Sequence, residues 1–252
     1  MSDFADVDAT ADPRTLIAYL DMSAVASGRM KHYVAAAHAL RRPTKPVLDL
    51  GCGAGHDVDL LRSLGVSAVG TDVSSVMIET AAARTHVPVV RAAGEHLPFR
   101  GDAFSGCRIE RVLMHVRTPE TVLGEVLRCV ERDGLVTIFE PDWTSLYIEG
   151  ASEPWAGWLS NVEHPAIGRE LGTLLDDIGF AVVDRVEERS WWSFEHFERI
   201  TNLERSVDRA VAAGKINETD ARRWIAEQRE RAAEGLFRAE LSKVLWVAKK
   251  PT

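Results

Sequence analysis

The stretch VLDLGCGAGHDVDLL, residues 47–61, constrains the fold more than any other part of the chain. Pro46 leads into Val47-Leu48-Asp49-Leu50, which reads as a short buried strand ending at glycine. Val58, Leu60, Leu61 and Leu64 then recur at helical spacing and stop at Gly65. One glycine suffices for a tight strand-to-helix turn. Three within five positions (Gly51, Gly53 and Gly55) indicate a backbone that another molecule approaches closely, because a Cβ would stand in the way. A strand, a glycine loop and a helix N-terminus together form a ready ligand-binding unit.

The same alternation continues downstream. Strand patterns occupy 66–72, 87–92, 104–111 and 134–140, the last following an Asp133-Gly134 turn. Helical patterns lie between them at 74–84, with Ser74 suited to the N-cap, and at 118–130, where Thr118 can cap and Pro119 suits the first position. Such alternation predicts a parallel sheet covered by helices on both faces. A helix over 166–180, a strand over 181–192 and two helices, roughly 194–213 and 218–233 with Asn217 as cap, come next. A closing strand spans 236–250, and residues 15–40 are helical. The expected architecture is α/β: a Rossmann-like, seven-stranded, mostly parallel sheet with N-terminal helices and a helical insertion before the last strand. One domain is expected over 1–252, with 1–44 as a helical cap, 45–192 and 235–252 as the core, and 193–234 as the insertion. Both helical parts are expected to close over a site at the carboxyl edge of the sheet.

Composition narrows the partners. A chain of 252 residues can bury a full core. A formal net charge of -8 with no long basic run argues against nucleic acid. Cys52, Cys107 and Cys129 are too scattered for a disulfide framework or a zinc site, so no metal is expected. They suit a reducing compartment, hence a cytoplasmic location. Residues 1–12 are acidic and polar, unlike a signal peptide, and no apolar run reaches the length of a membrane span. A homodimer is compatible with all of this.

The glycine pattern discriminates between cofactors. A dinucleotide loop calls for G-x-G-x-x-G, whereas here His56 stands where the third glycine would be. The run LDLGCGAG resembles the S-adenosylmethionine loop of class I methyltransferases, in the branch similar to the ubiquinone and menaquinone biosynthesis enzymes (methyltransferase type 11). Three further stretches carry the resemblance in order. VGTD places Asp72 after the second strand, where the family's acidic residue takes the ribose hydroxyls. AAGEHLPF, 92–99, resembles the family's adenine loop. ERVLMHV, 110–116, resembles the end of its fourth strand. The resemblance covers roughly 45–145 and implies S-adenosyl-L-methionine as cofactor. It implies cofactor contacts from Asp49, Gly51, Cys52, Gly53, Asp72, Val73, Met77, Gly94, Glu95, Glu110 and Arg111. Ala93 stands where the family often has the Asp that binds the adenine amino group, so Gly94 or Glu95 is expected to take over.

Methyl transfer is a displacement that depends chiefly on alignment in a dry pocket. A general base is needed only when the acceptor loses a proton. The candidate bases are His115, Glu140, Asp142 and His164, with Glu140 and Asp142 expected in the loop after the fifth strand. Trp143, Tyr147, Trp155, Trp158, Trp191 and Trp192 are dense enough to wall a pocket for a small organic acceptor, or to form the core of the cap. Two alternatives remain at this point: an NAD-linked oxidoreductase, and a non-catalytic, methyltransferase-like binding protein.

Overall fold

The computed structural model describes residues 7–10, 12–151, 159–160 and 162–252. Its strands are β1 (Val47–Leu50), β2 (Ala68–Asp72), β3 (Val89–Arg91), β4 (Phe104–Glu110), β5 (Val130–Ile148), β6 (Ala181–Trp192) and β7 (Ala239–Lys249). They form one sheet in the order β3-β2-β1-β4-β5-β7-β6. The first five pair in parallel, and β7 lies antiparallel between β5 and β6. The chain winds outward from β1 to β3 and then returns to β4 on the other side of β1. That reversal opens a crevice beyond the carboxyl ends of β1 and β4, where ligands bind in sheets of this kind.

The helices are α1 (Pro13–Ala26), α2 (Gly28–Leu40), α3 (His56–Ser63), α4 (Ser75–Thr85), α5 (Pro119–Cys129), α6 (Ile167–Ile178), α7 (Phe194–Thr201), α8 (Leu203–Ala212) and α9 (Glu218–Ala233). Their starts follow local chemistry. The Ser74 hydroxyl accepts from Met77 N at 3.2 Å, and Asn217 Oδ1 from Thr219 N at 2.8 Å. Thr118 occupies the N-cap of α5 without a side-chain bond, and Pro119 follows it.

The largest departures from the sequence pattern are in β5, which begins at Val130 so that the expected Asp133-Gly134 turn lies inside it, and in the insertion. β5 does not stop at Glu140 but runs to Ile148, because its pairing with β7 continues through Glu140↔Val244, Asp142↔Ser242 and Tyr147↔Glu240. The helix expected over 194–213 is two helices, split where Asn202 adopts a left-handed φ of 47°. Asparagine tolerates that conformation better than most residues, because its short amide bonds locally.

Leu48, Ile109, Val136 and Ile138 of the sheet share one buried core with Val122 of α5, Leu171 of α6, and Phe197, Leu203 and Trp224 of the insertion. The insertion is therefore packed into the sheet's own core. On the opposite face, α2 lays Val34 on Phe139 and Leu245. Among the described residues no helix is long and apolar enough to cross a membrane.

Candidate functional site

The glycine loop explains itself first by conformation. Gly51, Gly53 and Gly55 have φ of 72°, 49° and 86°, in the left-handed region that costs other residues about 1–2 kcal/mol. A Cβ on Gly51 would lie 2.2 Å from Val112 Cγ2, and one on Gly55 2.8 Å from Thr85 Cγ2. At these two positions close packing of the protein demands glycine. The Gly53 Cβ direction points toward Leu20 of α1, 3.0 Å away. The loop is pinned to the end of β2: Gly51 N and Cys52 N donate to Thr71 O at 2.7 and 2.8 Å. Asp72 Oδ2 accepts from Gly53 N at 2.9 Å, and its Oδ1 from Ser74 N at 3.0 Å. Burial raises the pKa of Asp72, and these bonds oppose the rise.

The loop borders a cavity of about 920 Å³. Gly51, Cys52, Gly53, Asp72, Val73, Met77, Ala93, Gly94, Glu95, Glu110 and Arg111 all line it. The structure thus brings together the expected cofactor residues with one exception. Asp49 is fully buried beneath the loop, off the cavity wall, and bonded to Arg108 Nη1 at 2.9 Å. Burial pushes its pKa up to about 6, with Arg108 opposing.

Sequence reasoning missed three residues of this floor. Lys31 of α2, buried, reaches Asp57 at 2.6 Å and Glu110 at 2.9 Å. Arg108 spans Asp49 and Asp57, both at 2.9 Å, and also contacts Glu110. Burial alone would raise the Glu110 pKa, but Lys31 and Arg108 outweigh it and hold the carboxyl well below its usual range. The available signal was two charges two residues apart, Arg108 and Glu110, inside a strand that buries Phe104, Cys107 and Ile109. Arg111, at φ 56°, extends this cluster toward the cap. It donates to Ser23 Oγ at 2.5 Å and to Tyr19 Oη at 3.4 Å, both on α1.

Helix α1 (Leu16, Tyr19, Leu20, Met22) and α7 (Arg199, Ile200) line the cavity from the cap side. The two helices meet where the Arg199 guanidinium contacts Met22 Sδ. Met114, Val116, Trp143 and Leu159 add an apolar wall. Trp143 is braced by Trp192, their ring centroids 6.2 Å apart. Tyr147 and Trp191 are 54% and 61% exposed and do not line the cavity, so the aromatic pocket is smaller than expected. Trp155 and Trp158 lie outside the described residues.

Of the four candidate bases, only His115 lines the cavity. Burial, aided by the charge of Arg111, pushes its pKa down to about 4, which leaves the imidazole neutral at pH 7. Glu140 and Asp142 lie inside β5 rather than in a loop after it, and neither reaches the cavity. Glu140 Oε1 accepts from Val112 N at 2.8 Å and Leu113 N at 2.7 Å, and burial pushes its pKa up to about 7 against those bonds. Asp142 accepts from Thr144 N at 3.0 Å and from the Thr144 hydroxyl, and Arg169 lies 3.5 Å away. His164 donates its backbone N–H to Met114 O at 3.1 Å, three residues before α6 begins, and its ring is off the cavity wall.

Residues 48–138 match the methyltransferase domain family. The chain is 32% identical over 224 residues to an uncharacterised 37.1 kDa protein in a transposon of Streptomyces fradiae, covering 83% of this chain and 65% of that protein. It is 30% identical over 114 residues to a demethylmenaquinone methyltransferase of Corynebacterium kroppenstedtii, 43% of this chain and 49% of that one. The fold matches Haemonchus contortus phosphoethanolamine N-methyltransferase 2, solved with phosphomonomethylethanolamine and S-adenosylhomocysteine. There the TM-score is 0.53 at 17% identity, covering 87% of this chain and 53% of that one. The chain thus spans less than two thirds of the length of each of these proteins.

Proposed function

From the premise that residues 48–138 belong to the methyltransferase domain family, with the class I fold around them, we infer that the chain transfers a methyl group from S-adenosyl-L-methionine to a small organic acceptor. The observation that carries this reading is the cavity of about 920 Å³, bounded by the glycine loop and Asp72 on one side and by α1, α7 and Trp143 on the other.

The residues present suit the cofactor by their chemistry. Asp72 provides a carboxylate for a diol, while Val73 and Met77 provide apolar surface for a base. Lys31 and Arg111 stand with Asp57 and Glu110 on the cavity wall, a mixed-charge set that suits a zwitterionic amino-acid end. When bound, the cofactor supplies an electrophilic methyl group on a sulfonium. The protein's part is to align the acceptor and exclude water, for which the apolar wall of Tyr19, Met22, Met114, Val116, Trp143 and Ile200 is suited. His115, neutral at pH 7, is the group able to take a proton if the acceptor must lose one. The roof of α1 and α7 leaves space for a small molecule, and with the net charge of -8 it disfavours a nucleic-acid acceptor.

The test compares ligands directly. S-adenosylhomocysteine at a hundred times its dissociation constant should stabilise the fold by about 2.7 kcal/mol, and NAD should do nothing. Stabilisation by NAD alone would favour the oxidoreductase reading. Cofactor binding without transfer of labelled methyl to any component of a host extract would favour a binding protein.

A further inference from the structure

We propose that Glu140 is a positioning residue. Its carboxylate fills the concavity of backbone N–H groups at the end of β4 and thereby sets the 111–115 loop against the glycine loop. The inference rests on the methyltransferase reading only for its ligand, not for its geometry.

The side chain is completely buried, and Oε1 takes two successive backbone N–H groups, those of Val112 and Leu113, at 2.8 and 2.7 Å. The Met114 amide adds to the same field. Consecutive N–H groups converge in this way when one residue turns left-handed, and they form a ready anion site. Arg111, at φ 56°, makes that turn. In many proteins such a concavity holds a ligand, but here the chain supplies its own carboxyl oxygen from the neighbouring strand.

What the carboxylate holds is the centre of the site. Val112 sits over Gly51, so close that a Cβ there would fall 2.2 Å from Val112 Cγ2. Arg111, Met114 and His115 line the cavity from this same loop. The Met114 carbonyl in turn accepts from Glu163 N at 2.9 Å and His164 N at 3.1 Å, fastening the segment before α6. Glu140 touches no cavity surface itself, so it acts through these residues. Without it, two buried N–H groups would lose their acceptor, and unmet buried donors are costly enough to drive a loop elsewhere.

The experiment compares Glu140→Gln, which keeps an acceptor oxygen at the same reach, with Glu140→Leu, which does not. The readouts are hydrogen exchange at the Val112 and Leu113 amides without ligand, and calorimetric affinity for S-adenosylhomocysteine. The Gln variant should stay within about threefold of wild type in both. The Leu variant, folded by circular dichroism, should exchange at least tenfold faster and bind at least tenfold more weakly. Should Glu140→Leu fail to fold, Glu140→Asp replaces it: the charge is kept but the reach is shortened, and the same two losses are expected. Wild-type exchange at these amides in the Leu or Asp variant overturns the proposal, as does faster exchange with unchanged affinity. If the wild type itself fails to bind S-adenosylhomocysteine, the cofactor reading falls, and the exchange contrast alone decides the role of Glu140.

Discussion

At the scale of single residues, Asp72 is the side chain on which the cofactor reading can be tested most directly. It lines the cavity while one oxygen holds Gly53 N and the other Ser74 N. Asp72→Ala should weaken S-adenosylhomocysteine binding by about 1–3 kcal/mol, the scale for losing charge-assisted hydrogen bonds. Unchanged affinity by calorimetry would remove Asp72 from the site. Asp72 was legible in the sequence because it ends a strand at a fixed distance from the loop. Asp49 was not, because a carboxylate next to a loop reads the same whether it faces the ligand or lies beneath it. Only the partner, Arg108 from a neighbouring strand, decides the matter, and nothing in the local pattern of β1 names that partner. Gly51 shows a related limit. The sequence marks it as intolerant of a Cβ, but the atom that excludes a Cβ belongs to Val112, across the sheet.

At the scale of elements, strand and helix starts were readable wherever local chemistry fixed them, as Ser74 and Asn217 do. Ends fixed by long-range pairing were not. β5 looked finished at Glu140 because proline, aspartate and serine follow, yet β7 carries it to Ile148. That error moved Glu140 and Asp142 into an imagined loop and made them look like bases. Of the helical parts expected to cap the site, α1 and α7 line most of that side of the cavity, and Asn202 splits the first helix of the insertion. Arg111 ties α1 to the loop through Ser23 and Tyr19, and Arg199 ties α7 to α1 through Met22. Among the described residues α1 gives none to the buried core, whereas α7 buries Phe197 there and β1 and β4 are buried in the sheet. Elements held by few buried contacts open at low free-energy cost. Hydrogen exchange should therefore slow chiefly in α1 when S-adenosylhomocysteine is added, while 47–50 and 134–140 are protected from the start. Equal protection of cap and core in the free protein, with no ligand effect, would make the cap a fixed part of the fold.

At the scale of the whole molecule, buried titratable groups of opposite tendency set the shape of the pH–stability curve. His38 is 2% exposed, bonded through Nε2 to Thr137 at 3.0 Å, and burial together with Arg108 and Arg41 pushes its pKa down to about 3. His115 is pushed down to about 4. Both have depressed folded-state values, so the stability they give is complete above the unfolded value, about 6.5, and is lost as pH falls through their folded values. Glu140 and Asp49 run the other way. Burial raises them to about 7 and about 6, so their stabilising effect is complete at low pH and is lost as pH rises through those values. Between about pH 4.5 and 6 these four titrate against each other, each worth up to about 1.4 kcal/mol per pH unit, and their slopes largely cancel; Asp72 acts in the sense of the carboxyls, and His56 and His196 in the sense of the imidazoles. As pH falls from about 4.5 toward 3.5, both carboxyls become protonated in the unfolded state as well and stop compensating. His38 and His115 still oppose protonation there, and so does Glu110, whose pKa Lys31 and Arg108 hold down against its own burial. Urea unfolding measured at half-unit steps should give a nearly flat stability from pH 6 to 4.5 and a steep fall below. Glu140→Gln removes one compensating group, so its curve should slope upward with pH across the flat window. His38→Gln should make the acid limb shallower by about one proton. A wild-type curve that falls steadily from pH 6.5 without a plateau would mean that the buried carboxyls are not protonated in the folded state. Asp49 would then stay charged against Arg108, and Glu140 would hold the 111–115 loop as an anion throughout.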